Sequence, residues 1–340
     1  MAQVLTAMAL AFCVALLATR AMIAIAIPDA PDSARKNHKA TTPTSGGIGI
    51  VAGIAVGLGS FIWSGAPVPW ALLASCCALS GLGAILGLLD DVLELGAVFK
   101  LCVMLLACAS FVVLGARVEV LDLGLGVVLP LGAVLGGLGS ALWLMVLVNG
   151  VNFMDGANGL SLGSSAIGLL GLSGLFVVQG QMPHAVLGLI GASACLGFLY
   201  WNAGKGRIFA GDCGALAVGL LMGGYGLWAA KMGIGLLNVA LCSLPLLVDV
   251  VLTVVWRIRR GHNILQAHSF HAYQRLIRSG RSHMDVAVRY WLQTLACVAC
   301  ALVGQVLGAS ASPLAFVLAL LALGAMYLSA LQRTPQIVEQ

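Results

Sequence analysis

Read along its length, the chain is a series of long apolar runs separated by short polar breaks. The runs cover roughly 3–27, 46–63, 70–89, 97–115, 126–148, 161–178, 184–201, 214–230, 236–256, 286–307 and 313–331. A helix needs about 20 apolar residues to cross a bilayer, and each run is close to that length. The runs are continuous rather than alternating, which argues against a transmembrane β-barrel. Pro130 and a group of glycines interrupt the run 126–148 near its start. A short strand or re-entrant piece is therefore expected there, ahead of a shorter helix. The pattern predicts an all-α polytopic membrane protein of about eleven transmembrane helices, a single domain over residues 1–340. The first run has no basic residue before Arg20, unlike a secretory signal peptide.

Composition sharpens this picture. Of 340 residues, 61% are hydrophobic and 9% are charged. A soluble domain carries about 25% charge, so this chain cannot cover a water-facing surface, and disorder is excluded by the same figures. Eleven spans would use roughly 220 residues, leaving no room for a second soluble domain. The basic residues set the expected orientation. With the N-terminus periplasmic and the C-terminus cytoplasmic, 15 of the 17 Lys and Arg residues fall inside, and only Arg117 and Lys231 fall outside. Nine of the 12 acids lie on the same inner face, as do five of the 6 histidines. Glu119 and Asp122 lie outside, and Asp249 lies within a span. A positive-inside bias accounts for the basic residues alone, so the acids and histidines require a functional explanation.

Those polar residues gather in loops at 28–45, 90–97, 149–160, 202–213 and 257–285. Asp90, Asp91 and Glu94 close the third run, and their spacing puts the carboxylates on one face if the helix continues. Like charges at a membrane persist with a cation or basic partner, and Lys100 lies about two turns on. Asn149, Asn152, Asp155 and Asn158, spaced by glycines, interrupt the end of the fifth run with hard oxygen donors suited to Mg²⁺. Asp212 sits between Gly211 and Gly214 at the start of the eighth run. Alone it reads equally as a helix N-cap; its return to the same membrane face makes it a metal candidate. His268 and His271, three apart and so on one side if helical, lie in a loop with six arginines that suits phosphate. The ten cysteines all lie in apolar segments and read as packing residues. Gly49, Gly53 and Gly57 form a close-packing stripe on the second span. No Walker A loop is present. Hard-ligand and anion-binding clusters on one face of a membrane protein point to phosphoryl chemistry on a lipid.

In ordered combination these motifs resemble the polyprenyl-phosphate N-acetylhexosamine-1-phosphate transferases of glycosyltransferase family 4. That superfamily includes the phospho-MurNAc-pentapeptide translocase and the undecaprenyl-phosphate GlcNAc-1-phosphate transferases. The similarity runs through Asp29-x-Pro31, Arg35, His38 and Pro43-Thr44-x-Gly46-Gly47, then Leu89-Asp90-Asp91. It continues through Asn149-x-x-Asn152-x-x-Asp155-Gly156-x-x-Gly159 and Gly211-Asp212-x-Gly214. Pro245-x-x-x-Asp249 and Ala267-His268-x-x-His271-x-Tyr273-Gln274-Arg275-Leu276 look like the last-loop pattern of the O-antigen-initiating branch. The resemblance implies Mg²⁺ (or Mn²⁺ in its place), a UDP-N-acetylhexosamine donor and undecaprenyl phosphate as acceptor. It implies a multi-pass protein of the bacterial inner membrane with a cytoplasmic active site, and is compatible with a homodimer. The lipid bilayer is its setting, and nucleic acid is not an expected partner. By the same resemblance Asp90, Asp91 and Asp212 are catalytic, Asp212 being the metal ligand with Asn152 beside it. Lys100, Asn149, Asn152, Asp155, Arg35, His38, Arg275, His268 and His271 are expected to bind substrate, the two histidines through the donor phosphates.

Departures bear on the sugar. Glu94 replaces a usual Asp, Cys213 and Ala215 replace a usual Val and Ser, Ser269 stands where Arg is usual, and His262 where an acid is usual. The triple histidine of the peptidoglycan translocase is absent, which argues against a MurNAc-pentapeptide donor. The competing reading is a transporter. Such proteins place ionisable residues near the midplane and show repeated halves, whereas here only Asp249 lies well inside a span and no internal repeat is evident.

Overall fold

The computed structural model describes residues 1–25, 28–29, 42–263, 269–308 and 311–333. Arg35, His38 and His268 lie outside the described residues. In order, the helices are α1 (Ala2–Ile25), α2 (Gly46–Trp63), α3 (Trp70–Leu93), α4 (Ala97–Leu114), α5 (Gly132–Phe153), α6 (Leu160–Val178) and α7 (Met182–Asn202). Then come α8 (Gly211–Lys231), α9 (Leu236–Leu241), α10 (Leu244–Arg259), α11 (Ala272–Arg278), α12 (His283–Leu307) and α13 (Ala311–Arg333). Four short strands complete the described structure: β1 (Pro28–Asp29) pairs antiparallel with β2 (Thr42–Pro43), and β3 (Val120–Asp122) with β4 (Val128–Pro130). Among the described residues, ten helices are long and apolar enough to cross a membrane. The protein is an all-α polytopic membrane protein.

The expected break at Pro130 is present: β4 ends on Pro130 and α5 starts two residues later. The expected span 236–256 is not one helix. It is divided at Cys242–Ser243 into α9 and α10. Pro245 lies in the first turn of α10, where its missing N–H costs nothing, and that makes it a start signal rather than a mid-span residue. The third span is longer than its apolar run, so Asp90 and Asp91 are the last helical charges of α3. Glu94 does not join them on one face. It is the C-cap, with φ of 51°, and the left-handed turn there diverts its side chain from the line of the helix.

The bundle is organised around α8, which is buried along almost its whole length, while α1 and α13 leave most of their surface to lipid. A helix in that position must be approached closely from several sides, and small residues permit it. Gly87 of α3 lies against the backbone of Asp212 and Cys213, Gly47 of α2 against Gly214, and Gly219 of α8 against Val148 of α5. The stripe Gly49, Gly53 and Gly57 packs on Ala15, Ala11 and Thr19 of α1, as its spacing predicts. Close packing at Gly87 fixes where Asp212 sits. We expect Gly87→Ala to drive its methyl into the Asp212 carbonyl and to destabilise the fold by about 1–3 kcal/mol. Gly81→Ala, whose methyl faces open space, should leave the thermal midpoint of the detergent-purified protein unchanged.

Candidate active site

Two helix ends and two helix starts meet at one end of the bundle. The C-terminal end of α3 brings Asp90 and Asp91, the end of α5 brings Asn152, the start of α4 brings Lys100, and the start of α8 brings Asp212. Lys100 Nζ lies 2.5 Å from Asp90 Oδ2 and 3.2 Å from Asp212 Oδ2, bridging two carboxylates. Asn152 Nδ2 donates to Asp212 Oδ1 at 2.9 Å. These side chains are partly exposed, 21% for Lys100, 12% for Asp90 and 27% for Asp212, so the cluster is open to a ligand while shielded enough for its charges to interact strongly.

The two adjacent aspartates have different surroundings. Asp91 accepts from the backbone N–H of Asp212 at 3.0 Å and of Cys213 at 3.2 Å. It thus satisfies two of the N–H groups that the first turn of α8 would otherwise leave orphaned. Gly211 precedes that turn with φ of +67°, and a Cβ there would collide with Thr44 O and the Asp91 carboxylate. Asp90 faces Lys100, whereas Asp91 holds the helix that presents Asp212.

Asp155 lies just past α5, on a turn closed by a hydrogen bond from its N–H to Asn152 O at 3.1 Å. Its carboxyl makes no hydrogen bond or ion pair with the described residues. Burial above all, and then the charges of Asp212 and Asp91, push its pKa well above the usual carboxylate range. A group with this placement accepts a proton or a cation readily. The surrounding segment is anchored by residues that motif spacing did not single out. Gly159 N donates to Asn202 Oδ1 at 2.7 Å, Asn202 Nδ2 to Ile208 O at 2.8 Å, and Trp291 Nε1 to Gly159 O at 2.9 Å. Asn202 was visible in sequence as an amide ending an apolar run, and it ties the 149–160 loop to the loop that carries Asp212.

Three expected substrate residues are engaged in other contacts. Asn149 donates to Met145 O of its own helix at 2.8 Å. Arg275 is buried, with its guanidinium 5.2 Å from the centre of the Trp256 ring and Nε donating to Phe270 O at 3.1 Å. Its pKa is lowered, chiefly by burial. His271 is buried beside Asp249 and is the N-cap of α11 rather than a residue within a helix. The helix begins only at Ala272 because Asp249 takes the N–H groups of Ala272 and Tyr273. Among the described residues no three His, Cys, Asp or Glu side chains form a preformed metal centre.

A family model described as glycosyl transferase family 4 matches residues 70–230, the stretch that includes Asp90, Lys100, Asn152, Asp155 and Asp212. The decaprenyl-phosphate N-acetylglucosaminephosphotransferase of Mycobacterium leprae is 31% identical over 297 residues, covering 76% of this chain and 72% of the relative. The probable undecaprenyl-phosphate N-acetylglucosaminyl 1-phosphate transferase of Bacillus subtilis is 28% identical, covering 80% of this chain and 75% of its own. The phospho-N-acetylmuramoyl-pentapeptide-transferase of Mycobacterium leprae is 30% identical, covering 89% of this chain and 96% of its own. By these matches the chain belongs to glycosyl transferase family 4 and is a glycosyl-1-phosphate transferase of the membrane.

Proposed function

We propose that the protein transfers N-acetylhexosamine 1-phosphate from a UDP-sugar to undecaprenyl phosphate, releasing UMP. An oxygen of the lipid phosphate attacks the β-phosphorus of the donor, and the bond from that phosphorus to the oxygen bridging it to UMP breaks. The product is a lipid-diphosphate-linked sugar, the starting unit of a surface polysaccharide such as O-antigen. The observation that carries this reading is the convergence of Asp90, Asp212, Asn152 and Lys100 from four helices at one end of a membrane bundle. The clustering of basic residues on the same end supports a cytoplasmic face, where nucleotide sugars are made.

A phosphate monoester has a second pKa near ~6, so the acceptor is largely ionised at neutral pH. What it requires is a place and a counter-charge rather than a base. Lys100 is suited to that task, because its ammonium bridges two carboxylates and lies in the partly exposed cluster. Asp91 keeps α8 in register beneath it. The residues present fit Mg²⁺. Asp90 and Asp212 supply two hard carboxylates against one lysine, and Asn152 supplies an amide. Mg²⁺ binds through one or two protein carboxylates plus water and substrate phosphates, so a complete protein cage is not needed. Asp212 and Asn152 would hold it, and when bound it would offset the negative charge of the diphosphate.

The peptidoglycan-type relative aligns over a greater share of both chains than the N-acetylglucosamine-type relatives do, which keeps UDP-MurNAc-pentapeptide as the second donor to try. The test uses purified protein with undecaprenyl phosphate, Mg²⁺ and a panel of UDP-sugars, with the lipid product identified by mass spectrometry. We expect a lipid diphosphate with an N-acetylhexosamine, lost on chelation by EDTA. No Mg²⁺-dependent lipid product from any donor would sink the reading.

A further inference from the structure

Asp249 has no part in the cluster around Asp212, yet it is among the most thoroughly satisfied side chains in the protein. It is 2% exposed and stands midway along α10. Its Oδ1 accepts from Ala272 N at 3.0 Å, lies 3.2 Å from His271 Nδ1 and 3.3 Å from Thr253 Oγ1. Its Oδ2 accepts from Tyr273 N at 3.2 Å and from the Tyr290 hydroxyl at 2.5 Å. Five donors from α10, the start of α11 and α12 therefore meet one carboxylate. A buried carboxylate is costly unless it is paired and hydrogen-bonded, and so complete a set of donors calls for a functional account.

What this carboxylate holds leads towards the site. Tyr273, whose N–H it takes, donates its hydroxyl to Phe153 O at 3.0 Å. Phe153 is the last residue of α5, next to Asn152, which in turn donates to Asp212. The same hydroxyl lies so close to Gly156 that a Cβ there would overlap it. A continuous set of contacts thus runs from Asp249 through Tyr273 to the segment that carries Asn152 and Asp155. A rigid support at that point matters, because a displacement of about 1 Å in a reacting group costs roughly 10²-fold in rate.

We propose that Asp249 is a positioning residue for phosphosugar transfer: it seats α11 so that Tyr273 locks the 153–156 segment, and with it Asn152 and Asp155, against Asp212. The proposal rests on the transferase reading above. Its test compares Asp249→Asn, Tyr273→Phe and the double variant. Tyr273→Phe keeps the backbone N–H that Asp249 binds and removes only the hydroxyl bond to Phe153. It should fold normally even where Asp249→Asn does not. Two readouts are taken: steady-state kinetics for donor and acceptor, and hydrogen exchange of the 149–160 segment. We expect Tyr273→Phe to lower kcat/KM for the UDP-sugar about 10–100-fold, the range for supporting partners of a site. The KM for undecaprenyl phosphate and the thermal midpoint should stay unchanged, and amides of 153–158 should exchange faster. The double variant should be no worse than the poorer single one, since both act through one contact path. Unmodified kinetics and exchange in Tyr273→Phe, or losses that multiply in the double variant, would overturn the proposal. If the unmodified protein makes no lipid product, the transferase reading fails instead, and the exchange data still decide whether Asp249 and Tyr273 hold this segment.

Discussion

Asp212→Ala is expected to lower kcat by about 10³-fold or more, equivalent to about 4 kcal/mol in the barrier, while the protein remains folded. The side chain is the meeting point of the site: Asn152 bonds one oxygen at 2.9 Å and Lys100 lies 3.2 Å from the other. Removing it leaves the Asn152 amide without that acceptor and Lys100 with Asp90 alone. It also removes the carboxylate best placed to share a divalent cation with a diphosphate. The fold should survive because the start of α8 is held through backbone, with Asp91 accepting the N–H groups of residues 212 and 213 whatever side chain stands at 212. Asp212→Asn, of nearly the same shape, should lose activity comparably, since charge and not volume is at stake. The check is kcat measured beside the thermal midpoint. Full turnover in Asp212→Ala would end the assignment, and lost turnover with a collapsed midpoint would reassign Asp212 to structure.

The second large effect concerns Lys100. Lys100→Met keeps most of the apolar stem and deletes the charge, leaving Asp90 and Asp212 without the ammonium that bridges them. Two consequences of opposite sign are expected. Transfer should fall about 10²-fold, mostly through the lipid phosphate, which loses its counter-charge. Mg²⁺ should bind more tightly, because the carboxylates no longer share their charge with a lysine. The half-saturating Mg²⁺ concentration should therefore drop even as the maximal rate falls. Lys100→Arg should restore little, since a planar guanidinium does not reproduce a compact ammonium between two carboxylates. A Mg²⁺ titration of both variants checks this. A rise in the Mg²⁺ requirement of Lys100→Met would show that lysine and metal do not draw on the same carboxylates.

The parts of this site are unevenly legible in the sequence. Apolar run length located most of the spans because lipid imposes length and composition on each helix separately, and most ends agree within a few residues, whereas the run 126–148 is shifted to Gly132–Phe153. The break between α9 and α10 was hidden because Pro245 inside an apolar run reads alike whether it opens a helix or interrupts one. Asp90, Lys100, Asn152 and Asp212 were legible because charge is scarce here, and each charged residue at a helix end stood out. Their division of labour was not, since which of Asp90 and Asp91 caps α8 depends on how α3 packs against a helix about 120 residues away in sequence. His271 shows the same limit. Spacing paired it with His268, but a carboxylate on α10 decides where α11 begins. A sequence signal did exist for that carboxylate: Asp249 was the one acid well inside a span.

In the proposed reaction a sugar and its phosphate move together onto a lipid phosphate. A donor labelled with ³²P at the β-phosphorus tests it directly, with undecaprenyl phosphate as acceptor and the organic and aqueous phases counted after extraction. We predict label in the organic phase as lipid-diphosphate sugar and unlabelled UMP in the aqueous phase. Label retained in water as UDP, with the sugar alone on the lipid, would contradict it.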